Sequence, residues 1–119
     1  MRVSFDGIGQ VCATFLGSGL SEGQVVRMTG SGTAGACGDG EGFCGAAICC
    51  KDDACSVQVR GFVTVSYSGA APSAGWAALC GNGQGGVRAV SSAEGSTDES
   101  TRCLVVDVDT TAKAVTILL

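Results

Sequence analysis

The chain has no histidine, one proline, one tryptophan, one tyrosine and four phenylalanines among its 119 residues. Without histidine it lacks both the side chain that most often moves protons near neutral pH and the commonest metal ligand. A serine or cysteine nucleophile would have only Lys, Asp or Glu to activate it. Basic residues are few as well: seven Lys and Arg against eleven Asp and Glu leave a formal charge of −4, and the seven form no block. Nucleic acid, whose phosphates demand a basic patch, is a poor partner for such a chain. No apolar run approaches the length of a membrane span, and no charged stretch followed by an apolar one opens the chain. The expectation is a soluble protein made in the cytosol, with no membrane partner and no export through a signal peptide.

What is plentiful is glycine, with 20 residues, and cysteine, with eight. Small side chains and many glycines suit closely approaching strands and tight turns, not large helices. The cysteines are Cys12, Cys37, Cys44, Cys49, Cys50, Cys55, Cys80 and Cys103. A disulfide framework belongs to a secretory setting, and zinc prefers paired C-x-x-C knuckles or Cys/His mixtures; neither signal is present. The expectation is free thiols that act as small buried hydrophobes. The alternative is a cytosolic metal-binding or redox-responsive β protein, with Cys37, Cys44, Cys49, Cys50 and Cys55 as its candidate residues. Cys49 and Cys50 would point to opposite sheet faces, with a vicinal disulfide as the sharper option.

The longest strand signal runs from Cys55 to Ser68. Val57 and Val59 alternate with polar residues, and after Gly61 so do Val63, Val65 and Tyr67. The spacing predicts one long strand bent at Gly61. Before it come Val3 and Phe5, then Val11 to Phe15, then Gln24 to Met28, each a short strand signal. Thr29 to Gly42 is the most Gly-rich segment. It contains a formal G-x-G-x-x-G at Gly30, Gly32 and Gly35, but a strand from Phe43 to Cys50 follows where a dinucleotide site needs a helix. No Gly-Lys-Ser/Thr completes a phosphate loop. Asp39 and Glu41 read as parts of a solvated turn. The stretch from Ser91 to Thr101 is polar and reads as a mobile exposed loop.

After the linker Ser68 to Gly75 the pattern restarts. Ser73 to Ala78 echoes Ser21 to Val26, a Gly-rich loop follows in both, and Arg102 to Val108 stands where Phe43 to Cys49 stood. Ala114 to Ile117 then matches Ser56 to Val59. One β domain over residues 1–119 is expected, all-β with little or no helix: a small Gly-rich barrel or sandwich of two weakly similar halves, about 21–68 and 73–119. The carboxylates Asp107 and Asp109 fall on one strand face and read as its solvated side. Trp76 is either an interface anchor or core. The apolar end Val115 to Leu119 predicts burial in the barrel or under a neighbouring subunit. Phe5, Trp76, Ile117, Leu118 and Leu119 are the interface candidates. No catalytic constellation and no cofactor site emerges, and the chain reads as no enzyme.

The order of Ser-Glu-Gly-Gln-Val-Val, Gly42-Phe43-Cys44-Gly45, Val57 to Val63, the Gly75-Trp76 restart and the closing Asp109 to Leu119 resembles the small phage and prophage proteins that decorate or cement viral capsids. The likeness covers about residues 21 to 119 and carries no catalytic residues. It implies a structural protein that assembles as a homotrimer, binds the major capsid protein and moves from the host cytoplasm to the virion surface. Met1 to Asp6 would then touch the capsid by adding a strand to an exposed edge.

Overall fold

The computed structural model describes residues 4–5, 7–91 and 94–119. Ten strands form two sheets, and no helix occurs among the described residues. The strands are β1 (Val11–Leu16), β2 (Val25–Gly30), β3 (Thr33–Ala36), β4 (Gly45–Lys51), β5 (Ala54–Arg60), β6 (Phe62–Ser66), β7 (Gly75–Gly81), β8 (Val87–Ala89), β9 (Thr101–Asp109) and β10 (Ala114–Leu118). The first five close into a barrel in the order β1-β3-β2-β4-β5. The last five form a sheet in the order β6-β10-β9-β7-β8.

The two sheets repeat one topology. In the barrel β1 runs antiparallel to β5 and parallel to β3, where Leu16 faces Thr33. In the second sheet β6 runs antiparallel to β10, and a parallel bridge just past its end joins Tyr67 to Val87 of β8. The pairings β2–β3, β2–β4 and β4–β5 correspond to β7–β8, β7–β9 and β9–β10, all antiparallel. The boundary between the units falls at Gly61, not in the Pro72 linker, so β1 and β6 open the two units.

Gly61 also corrects the long-strand expectation. β5 and β6 belong to different sheets, and Gly61 turns the chain from one to the other with φ +100°. A Cβ there would lie 2.5 Å from the carbonyl oxygen of Gly9, so glycine is required for both space and conformation. The alternation of valines ran on through the crossing because both strands bury the same parity of residues. Gln58 fastens the turn from inside. Only 2 % exposed, it donates to the carbonyls of Arg60 at 3.1 Å and Phe62 at 2.9 Å, while Gln10 donates to its Oε1 at 3.3 Å.

The core has two parts. Inside the barrel sit Val26, Ala34, Ala47, Cys55 and Val57, with Phe15, Leu20, Cys50 and Val59 packed against them. A five-stranded barrel is narrow, which is why alanine, valine and cysteine fill it. The larger cluster lies on the inner face of the second sheet. There Val63, Val65, Tyr67, Leu79, Val87, Val105, Val115 and Ile117 meet Val25 and Ala46 of the barrel's outer wall and Cys37 and Phe43 of the β3–β4 connection. Val25 and Val26 are neighbours on β2, both buried, one to each core. Each such side chain contributes roughly 1.5–3 kcal/mol of burial.

Two strands are carried by residues with weak strand signatures. β3 (Thr-Ala-Gly-Ala) lies within the Gly-rich segment, and β8 is three residues long. The expected strand at Val3 and Phe5 is not formed at Ser4 and Phe5; Val3 lies outside the described residues. The expectation of a mobile loop from Ser91 to Thr101 is also corrected over its described part. Asp98 takes a two-pronged contact from Arg88 at 2.8 and 3.0 Å, and Glu99 is tied through its amide to Gly40 and through its carboxylate to Gly42.

Candidate functional site

The outer face of the second sheet, turned away from both cores, carries the most organised surface feature. In antiparallel pairs, directly opposed residues point to the same face. Trp76 of β7 faces Leu104 of β9, Leu104 faces Leu118 of β10, and Leu118 faces Phe62 of β6. Four large apolar side chains therefore stand in one lateral row across four strands. The Phe5 ring extends the row, its centroid 5.2 Å from that of Phe62. Their chain neighbours Val63, Cys103, Val105 and Ile117 are buried on the opposite face, which fixes the row outward. Trp76 is the most exposed large hydrophobic among the described residues at 63 %. The guanidinium of Arg102 lies 5.4 Å from its ring centroid, a cation–π contact.

Charge and polarity are sorted on either side of this row. On one side Arg102 stands opposite Ala78. On the other a bulge at Val106 brings Asp107 opposite Thr116, which faces Thr64 with a 2.8 Å hydroxyl–hydroxyl hydrogen bond. Asp109 follows, its carboxylate accepting the amides of Thr111 and Ala112 at 3.0 Å each and so closing the β9–β10 turn. The outer face thus reads, along β9, cation, apolar row, anion.

Of the interface candidates, Phe5, Trp76 and Leu118 meet in this row. Ile117 is fully buried, and Leu119 packs against the core with its amide bonded to Gly61. Leu104 and Phe62 complete the row but were not singled out from the sequence. The signal was present as outward parity, yet the pairing register that aligns them lies between distant segments. Met1, Arg2, Val3 and Asp6, part of the expected capsid contact, lie outside the described residues.

The cysteines divide into three groups. Cys50 and Cys55 are bonded across the β4–β5 hairpin as directly opposed residues, with Cα atoms 4.1 Å apart. This corrects the expectation of free thiols throughout: register places the pair within crosslinking reach. Cys37, Cys80 and Cys103 are free and buried. Burial, with the nearby Glu41 charge, pushes the Cys37 thiol up to about 11, and burial alone does the same for Cys103. Cys12, Cys44 and Cys49 are free and exposed. Among the described residues no three of His, Cys, Asp and Glu gather in a way that could hold a metal ion. The five cysteines proposed as ligands are split between core, crosslink and surface.

The remaining motifs have structural explanations. Gly30, Gly32 and Gly35 belong to the β2–β3 hairpin, so their amides frame a turn and not a helix N-terminus. Gly19-Leu20-Ser21-Glu22-Gly23 spells a G-x-S-x-G pattern. Ser21 sits in a turn before β2, its amide bonded to Gln24 at 2.8 Å, with no helix after it; a nucleophile elbow needs that helix. Asp39 and Glu41 are engaged in more than a solvated turn: Asp39 meets Arg88 at 2.8 Å and Glu41 meets Arg27 at 3.0 Å. Arg88 thereby joins a barrel loop to the loop before β9. That contact draws the Asp98 carboxyl down to about 2, helped by the Ser91 amide. Two open grooves, about 570 and 380 Å³, have Asp53 and Glu22 as their only ionisable lining residues. Neither offers an acid–base pair.

By its fold the chain is an all-β protein built from two five-stranded units of one topology. Among known proteins, no family model matches the chain and no curated protein matches it.

Proposed function

We propose that this protein is a non-enzymatic structural module that works by assembling with other folded proteins through the outer face of β6–β10. The observation that carries this reading is the apolar row Trp76–Leu104–Leu118–Phe62. An exposed tryptophan within a continuous apolar stripe, beside an arginine, has the composition of an interface centre. Nothing in assembly requires catalysis, and a rigid two-core β body suits a protein that reinforces a larger structure. The resemblance to capsid decoration proteins gives the sharper form: an oligomer seated on a lattice of major capsid protein. Native mass, measured by light scattering behind a sizing column, tests the reading. A species heavier than the monomer that Trp76→Ala returns to monomer supports it. A monomer at every concentration, indifferent to Trp76, contradicts it.

A second reading rests on the Cys50–Cys55 crosslink, which favours a redox-responsive β protein. Thiol titration of the denatured chain separates them. Six thiols without reductant and eight with it would match one bond. Eight in both, on protein purified without air, would remove the redox reading.

A further inference from the structure

The geometry points to a second copy of this chain as the occupant of the outer face, packed sheet to sheet about a twofold axis that runs along the apolar row. The inference rests on the assembly reading above and specifies partner and orientation. β9 is the central strand of the five, and charge changes sign along it across the row, from Arg102 to Asp107. Two facing copies are related by an axis lying in the plane between them. If that axis ran along β9, Arg102 would meet Arg102 and Asp107 would meet Asp107. An axis along the row exchanges the two sides instead. Arg102 of each copy then lies over Asp107 of the other, while Trp76, Leu104, Leu118 and Phe62 stack on their own counterparts. Like charges face to face are costly and opposite charges fix register, so the charge pattern selects the second arrangement.

Asp107 already takes part in an interaction within its own chain. Its two carboxylate oxygens accept several hydrogen bonds, so a cross-copy contact adds to that interaction. The open part of the face spans the four strands of the row, about 19 Å across by about 17 Å along the strands at ordinary sheet spacing; at β8 the outward Arg88, opposite the buried Cys80, is held by Asp39 and Asp98. Such an area, about 300 Å² per copy, lies below the usual size of stable specific interfaces and fits a weak, transient one. The dimer should therefore dissociate on dilution, which makes its orientation measurable.

Sedimentation over an approximately thousandfold concentration range, wide enough to cross a weak dissociation constant, would be run on wild type, Arg102→Glu, Asp107→Lys and the double variant. The expected result is a wild-type dimer, at least tenfold weaker in each single variant and restored in the double. Rising salt should weaken the wild-type dimer, because exposed charge pairs are screened. That readout stands even if Asp107→Lys fails to fold. A trimer would overturn the twofold arrangement and leave the assembly reading standing. A dimer indifferent to salt and to Arg102→Glu would place the interface elsewhere and overturn the inference. A monomer throughout would remove both.

Discussion

The barrel and the second sheet share one strand order but dispose of their outer faces differently. The barrel turns part of its outer wall, Val25 and Ala46 among it, against the second sheet. Its other exposed apolar residues do not line up: Val11 stands opposite Arg60, Leu16 opposite Ala54 and Thr33, Ile48 falls at the bulge of β4, and Met28, opposite the buried Ala34, has the inward parity of Val26. Scattered hydrophobes of this kind are ordinary. The second sheet turns its inner face to the barrel and carries large apolar residues in register on the outer one. The lesson is that exposure alone does not mark a surface; alignment across strands does.

The comparison can be broken from the core outward. Leu79→Ala, in the larger cluster, is expected to cost about 2–5 kcal/mol. Val57→Ala, in the narrow barrel, should cost less because fewer atoms are removed; urea unfolding of both variants checks the order. Gly61→Ala should destabilise by about 1–3 kcal/mol from its positive φ alone, with the Gly9 contact adding to that. Breaking Cys50–Cys55 by a double serine substitution removes a constraint on a loop of sequence separation 5, worth about 2 kcal/mol in the chain-entropy account. Melting curves with and without reductant should show that loss in wild type and none in the variant. Trp76→Ala should change stability by less than about 1 kcal/mol, since the side chain is mostly exposed, yet remove association.

The smallest effect concerns pH. The Asp98 carboxyl sits below its unfolded value, so the native state binds fewer protons there than the unfolded chain. Its contribution is complete above the ordinary carboxylate range and is lost as pH falls from about 4 toward about 2. Protection of the Thr97 to Glu99 amides, taken relative to the intrinsic exchange rate at each pH, should fall through that window in wild type. With Asp98→Asn it should be low at both ends.

Much of the fold was legible in residues. Alternating valines gave the strands, and the restart after Pro72 pointed to two similar halves. What escaped was whatever depends on partners far along the chain. β3 hid among Thr, Ala and Gly because packing, not propensity, makes it a strand. Gly61 read as a bend because a one-residue crossing leaves alternation intact. The Cys50–Cys55 pair is five residues apart in sequence, but only the hairpin register makes the two opposed. The outer row had the same difficulty: Trp76, Leu118 and Phe5 stood out singly, and Leu104 and Phe62 became visible once β9, β10 and β6 were placed side by side. The loop before β9 looked polar and free because its anchors, Arg88 and Gly40, lie in other segments.

Trp76 is the sole tryptophan, so its emission reports directly on the face at the centre of this account. The measurement is the emission maximum during serial dilution of the wild-type protein under reducing conditions. If the outer face joins copies of the chain, emission is blue-shifted at high concentration and moves to the red as the protein is diluted, in step with the fall in native mass. An emission maximum that stays red at every concentration, or one that holds still while the mass falls, would contradict it.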